Sequence, residues 1–461
     1  MKILDLPATK SAPSLPAGTR GTKNVDTATI TTSTAPKQAR EVYFDFNRGS
    51  YWTRNERGGW ILMNETQIKR LLRASGVSPN RPDGCHVSPL DERLLDIQER
   101  FDVHYAGPLA GHHAGVFTCG EKRILVTDSP RLVIPMPGEW PTLAKLLQGL
   151  LVDGECDQRP YLFGWLKIAL EALQARQRRP GQVLALCGPH ACGKSLLQNL
   201  ITTLLGGRAA KPYQFMAGQT TFNADLFEAE HLMIEDDQSS TNICARRNFG
   251  AAIKSVCVNE TQRCHPKGRT AITLTPFWRV SITVNNEPEN LMVLPPLDDS
   301  LEDKLVLLRA FKRPMPMPTD SNEDRTAFWA TLQGELPAFV HYLMTWTIPA
   351  ELRSNRFGVT HYHHPELVEA IDSLAPEQKL LLLLDSELFT TPAAGPWHGT
   401  AAELEIRLTG MDSRCAHEAR KLLSWPTACG VYLSRLAKRT QERIQYTHKP
   451  DSRKWTIHPP R

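Results

Sequence analysis

The sequence predicts an α/β core, preceded by a smaller α+β domain and followed by three helices that close on a β-hairpin. Three observations carry that prediction. An apolar run at 183–187 leads through Gly188-Pro189-His190-Ala191-Cys192-Gly193-Lys194-Ser195 into an amphipathic helix over 196–205, stopped by Gly206-Gly207. Two more apolar strands follow, at 232–234 and 279–284. Beyond a break at 392–396 the pattern changes to short helices and two alternating strands.

Taken from the N-terminus, 23 of the first 40 residues are Ser, Thr, Ala, Pro or Gly. That composition offers too little apolar surface to offset its ordering entropy, so 1–40 is expected as a disordered, slightly basic tail. Apolar stretches at 42–46, 51–52 and 60–63, parted by Asn47-Arg48-Gly49 and Arg57-Gly58-Gly59, predict a three-strand meander. Asn64 with Gln67 forms a capping box for a short helix. A second helix over 89–101 and short strands at 116–118 and 123–127 complete an α+β accessory domain over 41–140. It holds no Asp-x-Asp pair of the kind a primase centre needs. His112 and His113 fall in a Gly-rich loop, 107–115, that reads as a solvated turn. Helices over 142–151 and 161–178 make a helical lead-in, 141–180, to the core at 181–350.

The chemistry is written in that core. Gly188 to Ser195 matches G-x4-G-K-[ST] in full, between a buried strand and a helix, which is the geometry of a P-loop. Its backbone N–H groups would cradle the phosphates of ATP, Lys194 would reach the β/γ oxygens, and the Ser195 hydroxyl would bind Mg²⁺. Such a loop needs an acid on a neighbouring strand, and Glu235-Asp236-Asp237 follows the 232–234 run. Three adjacent carboxylates repel one another, which favours a cation beside them. Asp236 is the expected Mg²⁺ ligand, with either Glu235 or Asp237 orienting water. Asn285, at the end of the 279–284 strand and three residues before Pro288, suits an amide that holds the attacking water or the γ-phosphate.

The order of these motifs, Gly188 to Ser195, then Glu230 to Asp237, then Lys254, then Ser281-Ile-Thr-Val-Asn-Asn286-Glu-Pro288, resembles superfamily 3 helicases, the AAA+-type ring motors of phages, plasmids and small DNA viruses. The likeness is to the helicase half of phage and plasmid primase–helicases and spans about 150–320. It implies an ATP-dependent DNA helicase, a homo-hexamer that translocates on single-stranded or forked DNA in replication, with a separate primase or other replication protein as partner. It also implies a hairpin before the sensor strand whose tip, with His265, Lys267 and Arg269, tracks phosphates in the ring channel. Arg246, Arg247 and Lys254 lie on the helix that precedes it. Where the superfamily carries an arginine pair that reaches the neighbouring subunit, this chain departs, and Lys304 or Arg309 stands in its place.

A helical linker at 351–395 leads to the last module, 396–461, which carries twelve Lys or Arg against six Asp or Glu, a net +6. The formal charge of the whole chain is +5, so the other 395 residues sum to −1. Thr400 with Glu403 caps a helix ending at Gly410, helices follow at 416–423 and 428–439, and two strands flank 448–452. That is the winged-helix pattern. Arg435, Lys438 and Arg439 would enter a major groove while Lys449, Arg453 and Lys454 form the wing on the adjacent backbone. A protein-docking role for the module stays open.

Composition excludes other classes. The longest aliphatic run, 380–384, is far short of the roughly 20 residues of a membrane span. Asp5 and Pro7 interrupt any secretory signal. Ten cysteines without a Cys-x-x-Cys pair predict reduced, structural thiols, including Cys257 and Cys264 beside His265. The expected location is cytoplasmic, in a bacterium or a virus-infected host cell. Two other readings stay open: a P-loop ATPase that loads or remodels a protein on DNA without unwinding, and a winged-helix DNA-binding protein switched by nucleotide.

Overall fold

Strands apolar on both faces need cover on both faces, and side chains alternate between those faces along each strand. The computed structural model, which describes residues 41–235, 243–286, 288–291, 293–295, 297, 299–389, 395–448 and 453–459, meets both demands. Its spine is one parallel sheet in the order Ala209–Ala210, His231–Ile234, Arg279–Asn285, Val183–Gly188, Leu305–Arg309. Val183, Ala185, Cys187, Val280, Ile282 and Leu307 face a core closed by the helix Ile243–Val258. Leu184, Leu186, Val306 and Leu308 face the other way, onto the helices Pro141–Leu151, Arg159–Gln174, Lys194–Leu204 and Asn322–Thr345. The result is an α/β body with cover on both sides.

The strand order corrects one expectation. The acid-bearing strand His231–Ile234 is not the neighbour of Val183–Gly188; Arg279–Asn285 lies between them. Spacing along the chain carries no information about this, because parallel strands are joined by long crossovers.

The predicted meander is present as Val42–Asp45, Ser50–Arg54 and Trp60–Met63, with the Asn64–Gln67 capping box fully formed ahead of the helix Glu65–Ala74. A fourth strand, Asp102–Val103, pairs parallel to the first and is too short to show a pattern in sequence. Val42, Tyr51, Ile68, Leu94 and Ile97 form the core of this layer. A second small sheet orders Tyr105–Gly107, Lys122–Val126 and Gly115–Cys119.

The Gly-rich loop between those strands is not a solvated turn. Leu109 and Ala110 are fully buried, and Leu109, Ala110, Ile124 and Val126 belong to the same core as the parallel sheet. Ala110 N–H donates to Phe227 O (2.7 Å), and Phe277 N–H donates to Ala110 O (3.0 Å). Gly111 has φ +75°, and a Cβ there would lie 2.4 Å from that of Phe277, so only glycine fits. Its N–H donates to the buried carboxylate of Glu230 (2.8 Å), which also accepts from Arg208 Nε (3.0 Å). Residues on either side of position 140 therefore share one core.

Elsewhere long-range partners do what local sequence does not. The helix Pro141–Leu151 has no cap of its own; Glu335 supplies one, accepting from Thr142 N–H (3.1 Å) and Leu143 N–H (2.8 Å). The helical linker contains two helices, Pro365–Leu374 and Pro376–Leu388, parted where Pro376 pushes Ala375 out of helical geometry (φ −59°, ψ 138°).

The last module has its predicted helices, Ala401–Thr409, Ala416–Leu422 and Ala428–Arg439, and its hairpin Ile444–His448 with Arg453–Ile457. Trp397–Gly399 adds a third strand, paired with Arg453–Ile457. Leu380 and Leu384 of the preceding helix enter the same core as Leu404, Leu436 and Trp455. The expected tail at 1–40 lies outside the described residues. Among the described residues no helix is long and apolar enough to cross a membrane.

Removing Glu230 leaves the Gly111 N–H unpaired and leaves the Arg208 guanidinium only its longer contacts to Asp128 and Leu109 O. Glu230→Ala is expected to cost about 3 kcal/mol or more, read by urea denaturation. A loss under about 1 kcal/mol would show that the clamp contributes little.

Candidate functional site

The loop Gly188–Ser195 leaves the C-terminal end of the Val183–Gly188 strand, the end at which open parallel sheets bind ligands. Gly193 has φ +105° and caps the helix Lys194–Leu204 without any side-chain hydrogen bond to the first-turn N–H groups. That leaves a partly positive helix end facing the loop. Lys194 is buried and donates three bonds, to Gly188 O (2.8 Å), Pro189 O (2.8 Å) and Asn285 Oδ1 (2.9 Å). Gly188 and Asn285 are also register partners on adjacent strands. Ser195, His190 and Ala191 are exposed, Pro189 is half-buried and Cys192 is buried. The structure thus joins the loop lysine and the strand-end amide, 91 residues apart in sequence.

Glu235, half-buried at the end of the His231–Ile234 strand, pairs with Lys211 (2.5 Å). Asp236 and Asp237 lie outside the described residues, as do the side chains of Arg246 and Arg247. Among the described residues no cluster of His, Cys, Asp and Glu could hold a metal. Cys257 and Cys264 are buried, and burial pushes both thiols up to about 12.

Sequence reasoning passed over the group beneath the loop. Gln198, one turn past Lys194 and buried, donates to Ile234 O (3.2 Å) and Ser281 Oγ (2.9 Å) and accepts from Thr283 Oγ1 (3.2 Å). His231 sits between two hydroxyls, its Nε2 2.7 Å from Ser281 Oγ and its Nδ1 2.7 Å from Thr202 Oγ1. One polar net therefore ties the helix of Lys194 to the strands that end in Glu235 and Asn285. The available signal was Ser281 and Thr283 inside a strand otherwise apolar, polar groups that need partners once buried.

Lys304 and Arg309 are both engaged within the chain. Lys304 is buried and donates to Ser300 O (2.8 Å) and Asp303 Oδ1 (2.6 Å). It precedes Leu305, which pairs with Val183 at the sheet edge opposite the loop. Lys304 is thus held by Ser300 and Asp303 within the chain. Arg309 pairs with Cys187 at the loop edge, and its guanidinium forms an ion pair with Glu366 and lies over the Phe311 ring (5.2 Å).

The predicted hairpin is present as Gln262–Cys264 with Ile272–Leu274. At its tip Lys267 and Arg269 are exposed and His265 is half-buried. Asn223 fixes the base, accepting from His265 N–H (2.7 Å) and donating to Arg263 O (2.9 Å). On the helix Ala428–Arg439 the basic edge turns partly toward the α/β body. Arg435 approaches Glu377 (3.5 Å) and Arg439 donates to Leu297 O (2.8 Å), across a cleft of about 890 Å³ that is also lined by Lys254 and Lys438. Arg453 donates to Ser434 Oγ (2.9 Å) and lies over Tyr446 (4.4 Å), while Lys454 is exposed. Lys449 lies outside the described residues.

Comparison with known proteins adds the fold. Residues 186–300 match the model of a family of unknown function, DUF5906. No curated protein matches the sequence. Among solved structures, the apo NrS-1 C-terminal region superposes with a TM-score of 0.53 at 12% identity, covering 91% of this chain and 96% of that one. The A form of the same apo region gives 0.51 at 12% identity, covering 91% and 97%. At that identity the likeness is one of architecture, and it extends over nearly the whole of both chains.

Burial lowers the pKa of His231 from 6.5 to about 3. The unfolded chain therefore binds an extra proton between those values, so this contribution to stability is fully present above about pH 6.5 and falls as the pH drops through the window. His113, His363 and His364 are lowered by burial as well and add to the same slope. Melting curves from pH 7.5 to 5 are expected to fall for the native chain and to flatten in His231→Gln. An identical slope in the variant would count against His231 as a source.

Proposed function

We propose that this chain is an ATP-dependent DNA helicase of the superfamily 3 type, acting in replication of a phage, prophage or plasmid as a homo-hexameric ring that moves on single-stranded DNA. The reading rests on an α/β architecture shared with the NrS-1 C-terminal region and on the residues gathered at one sheet edge. The observation that carries it is the contact between Lys194 and Asn285 beside the loop Gly188–Ser195, which brings a phosphate-binding lysine and a strand-end amide to one point.

The residues fit ATP and Mg²⁺. The helix end lacks a side-chain cap, and the Ser195 hydroxyl is exposed. Mg²⁺ would be held by Ser195 and Asp236, where it would neutralise charge on the transferring phosphoryl group. In the structure all three Lys194 N–H bonds are committed to Gly188, Pro189 and Asn285. Engaging a phosphate therefore requires one of them to be released. Asn285 is the releasable partner, because it is a side chain whereas the other two acceptors are backbone. Its amide then orients water or the γ-phosphate, with Glu235 or Asp237 as the base. The net through Gln198 holds the three elements in register.

On this reading the hairpin with His265, Lys267 and Arg269 grips the strand, Lys304 or Arg309 reaches a neighbouring subunit, and the winged-helix module supplies further DNA contacts from Lys438, Lys454, Arg435, Arg439, Lys449 and Arg453. A separate primase or other replication protein would be its partner.

ATP hydrolysis is expected to be stimulated by single-stranded DNA and coupled to separation of a forked duplex. Lys194→Ala should abolish both activities, and Asn285→Ala should lower turnover by about 100-fold while nucleotide binding persists. Wild-type hydrolysis indifferent to DNA would overturn the proposal.

A further inference from the structure

The front layer contains an aromatic side chain that its own core does not use. Phe46, at the end of the Val42–Asp45 strand, is 63% exposed. It is nevertheless held in place. Its N–H donates to Val103 O (3.0 Å), and its ring stacks on His104 at 5.4 Å between centroids and 23° between planes. Asn47 Nδ2 donates to His104 O (2.6 Å) and ties the pair together. An exposed phenyl ring fixed in orientation is a surface prepared for another flat group.

A second aromatic pair stands across from it. His265, at the hairpin tip, lies 5.2 Å from the ring of Phe222, itself 41% exposed. The groove between the two walls has a volume of about 510 Å³ and is lined by Phe46, Asn47, His265, Gly268, Arg269 and Thr270. Arg269 is the only charged side chain among these lining residues, and none is a carboxylate. Lys267 is exposed on the same tip.

We infer that this groove binds single-stranded nucleic acid, with bases stacked on Phe46 and on the Phe222–His265 pair while Arg269 and Lys267 take the phosphates. Every base has a π-face, so the site tolerates any sequence, and its basic rim favours a polyanion over a neutral or acidic protein surface. The front layer thereby forms one wall of the strand path and the hairpin the other. The assignment deepens the proposed function by giving the front layer a share in strand binding, but the groove itself requires no hydrolysis.

Binding of the full chain is measured by fluorescence anisotropy with oligo-dT, an oligo-U of the same length, and an abasic oligomer that keeps the phosphates. Phe46→Ala and Phe222→Ala are each expected to weaken binding to whichever of oligo-dT and oligo-U binds more tightly by about tenfold. Abasic binding should be unchanged, and Phe46→Tyr should retain affinity. Arg269→Ala should weaken all three ligands and reduce the salt dependence. Melting curves confirm that the variants fold. Unchanged affinity in Phe46→Ala, or an equal loss on the abasic oligomer, would overturn the groove. A base-dependent loss in a chain whose ATP hydrolysis ignores DNA would keep the groove and reject the motor; DNA-stimulated hydrolysis with no Phe46 effect would do the reverse.

Discussion

A sheet buried on both faces has nowhere to leave a polar group unpaired, and that constraint organises the molecule. Ser281, Thr283, His231 and Gln198 all sit in or against the central strands, out of reach of water. They are satisfied by one another, with Thr202 and the Ile234 carbonyl completing the net. A buried net of this kind tolerates one arrangement, because a shift of one strand leaves several groups unpaired at once. The loop helix, the acid strand and the amide strand are therefore locked at fixed heights. The placement of Lys194 against Asn285 depends on that lock as much as on the loop's own glycines.

What the sequence made legible was local. Capping boxes at Asn64 and Thr400 are complete within four residues, and both form as expected. The strand–loop–helix around Gly188–Ser195 is likewise contiguous, so its elements could be read from periodicity and glycine alone. The illegible features all join distant segments. Nothing near Pro141 says that Glu335 will cap its helix. Nothing in 232–237 says that another strand separates it from the loop strand. The Gly-rich loop at 107–115 looked solvated because its glycines suit turns; its real constraint, the Cβ of Phe277 pressed against Gly111, is contributed from far down the chain.

Charge was a similarly partial guide. The excess of basic residues in the last module is real, yet Arg435 and Arg439 spend part of their hydrogen-bonding capacity on Glu377 and on the backbone of the α/β body. Lys304, chosen for its position after the third strand, is consumed by Asp303. A count of cations in sequence treats each as available, whereas folding commits many of them to carboxylates and carbonyls. The aromatic groove at the hairpin tip went unread for the opposite reason. Phe46 and Phe222 are far apart in sequence and each, taken singly, reads as core.

The clamp formed by Gly111, Glu230 and Arg208 decides where this protein can be cut. Since Leu109, Ala110, Ile124 and Val126 fill the same core as the central sheet, a fragment beginning at residue 140 would lay bare Phe227 and Trp278 to water. The small sheet that opens at Tyr105 is bound on its other side as well, where Ala106 and Leu125 pack with Val103 and against Tyr43, Trp52 and Trp60 of the meander. A recombinant piece, a domain exchange or an evolutionary fusion at this end of the chain has to respect both contacts. The small sheet must travel with the α/β body, and a cut just before it would in turn uncover Val103 of the meander layer.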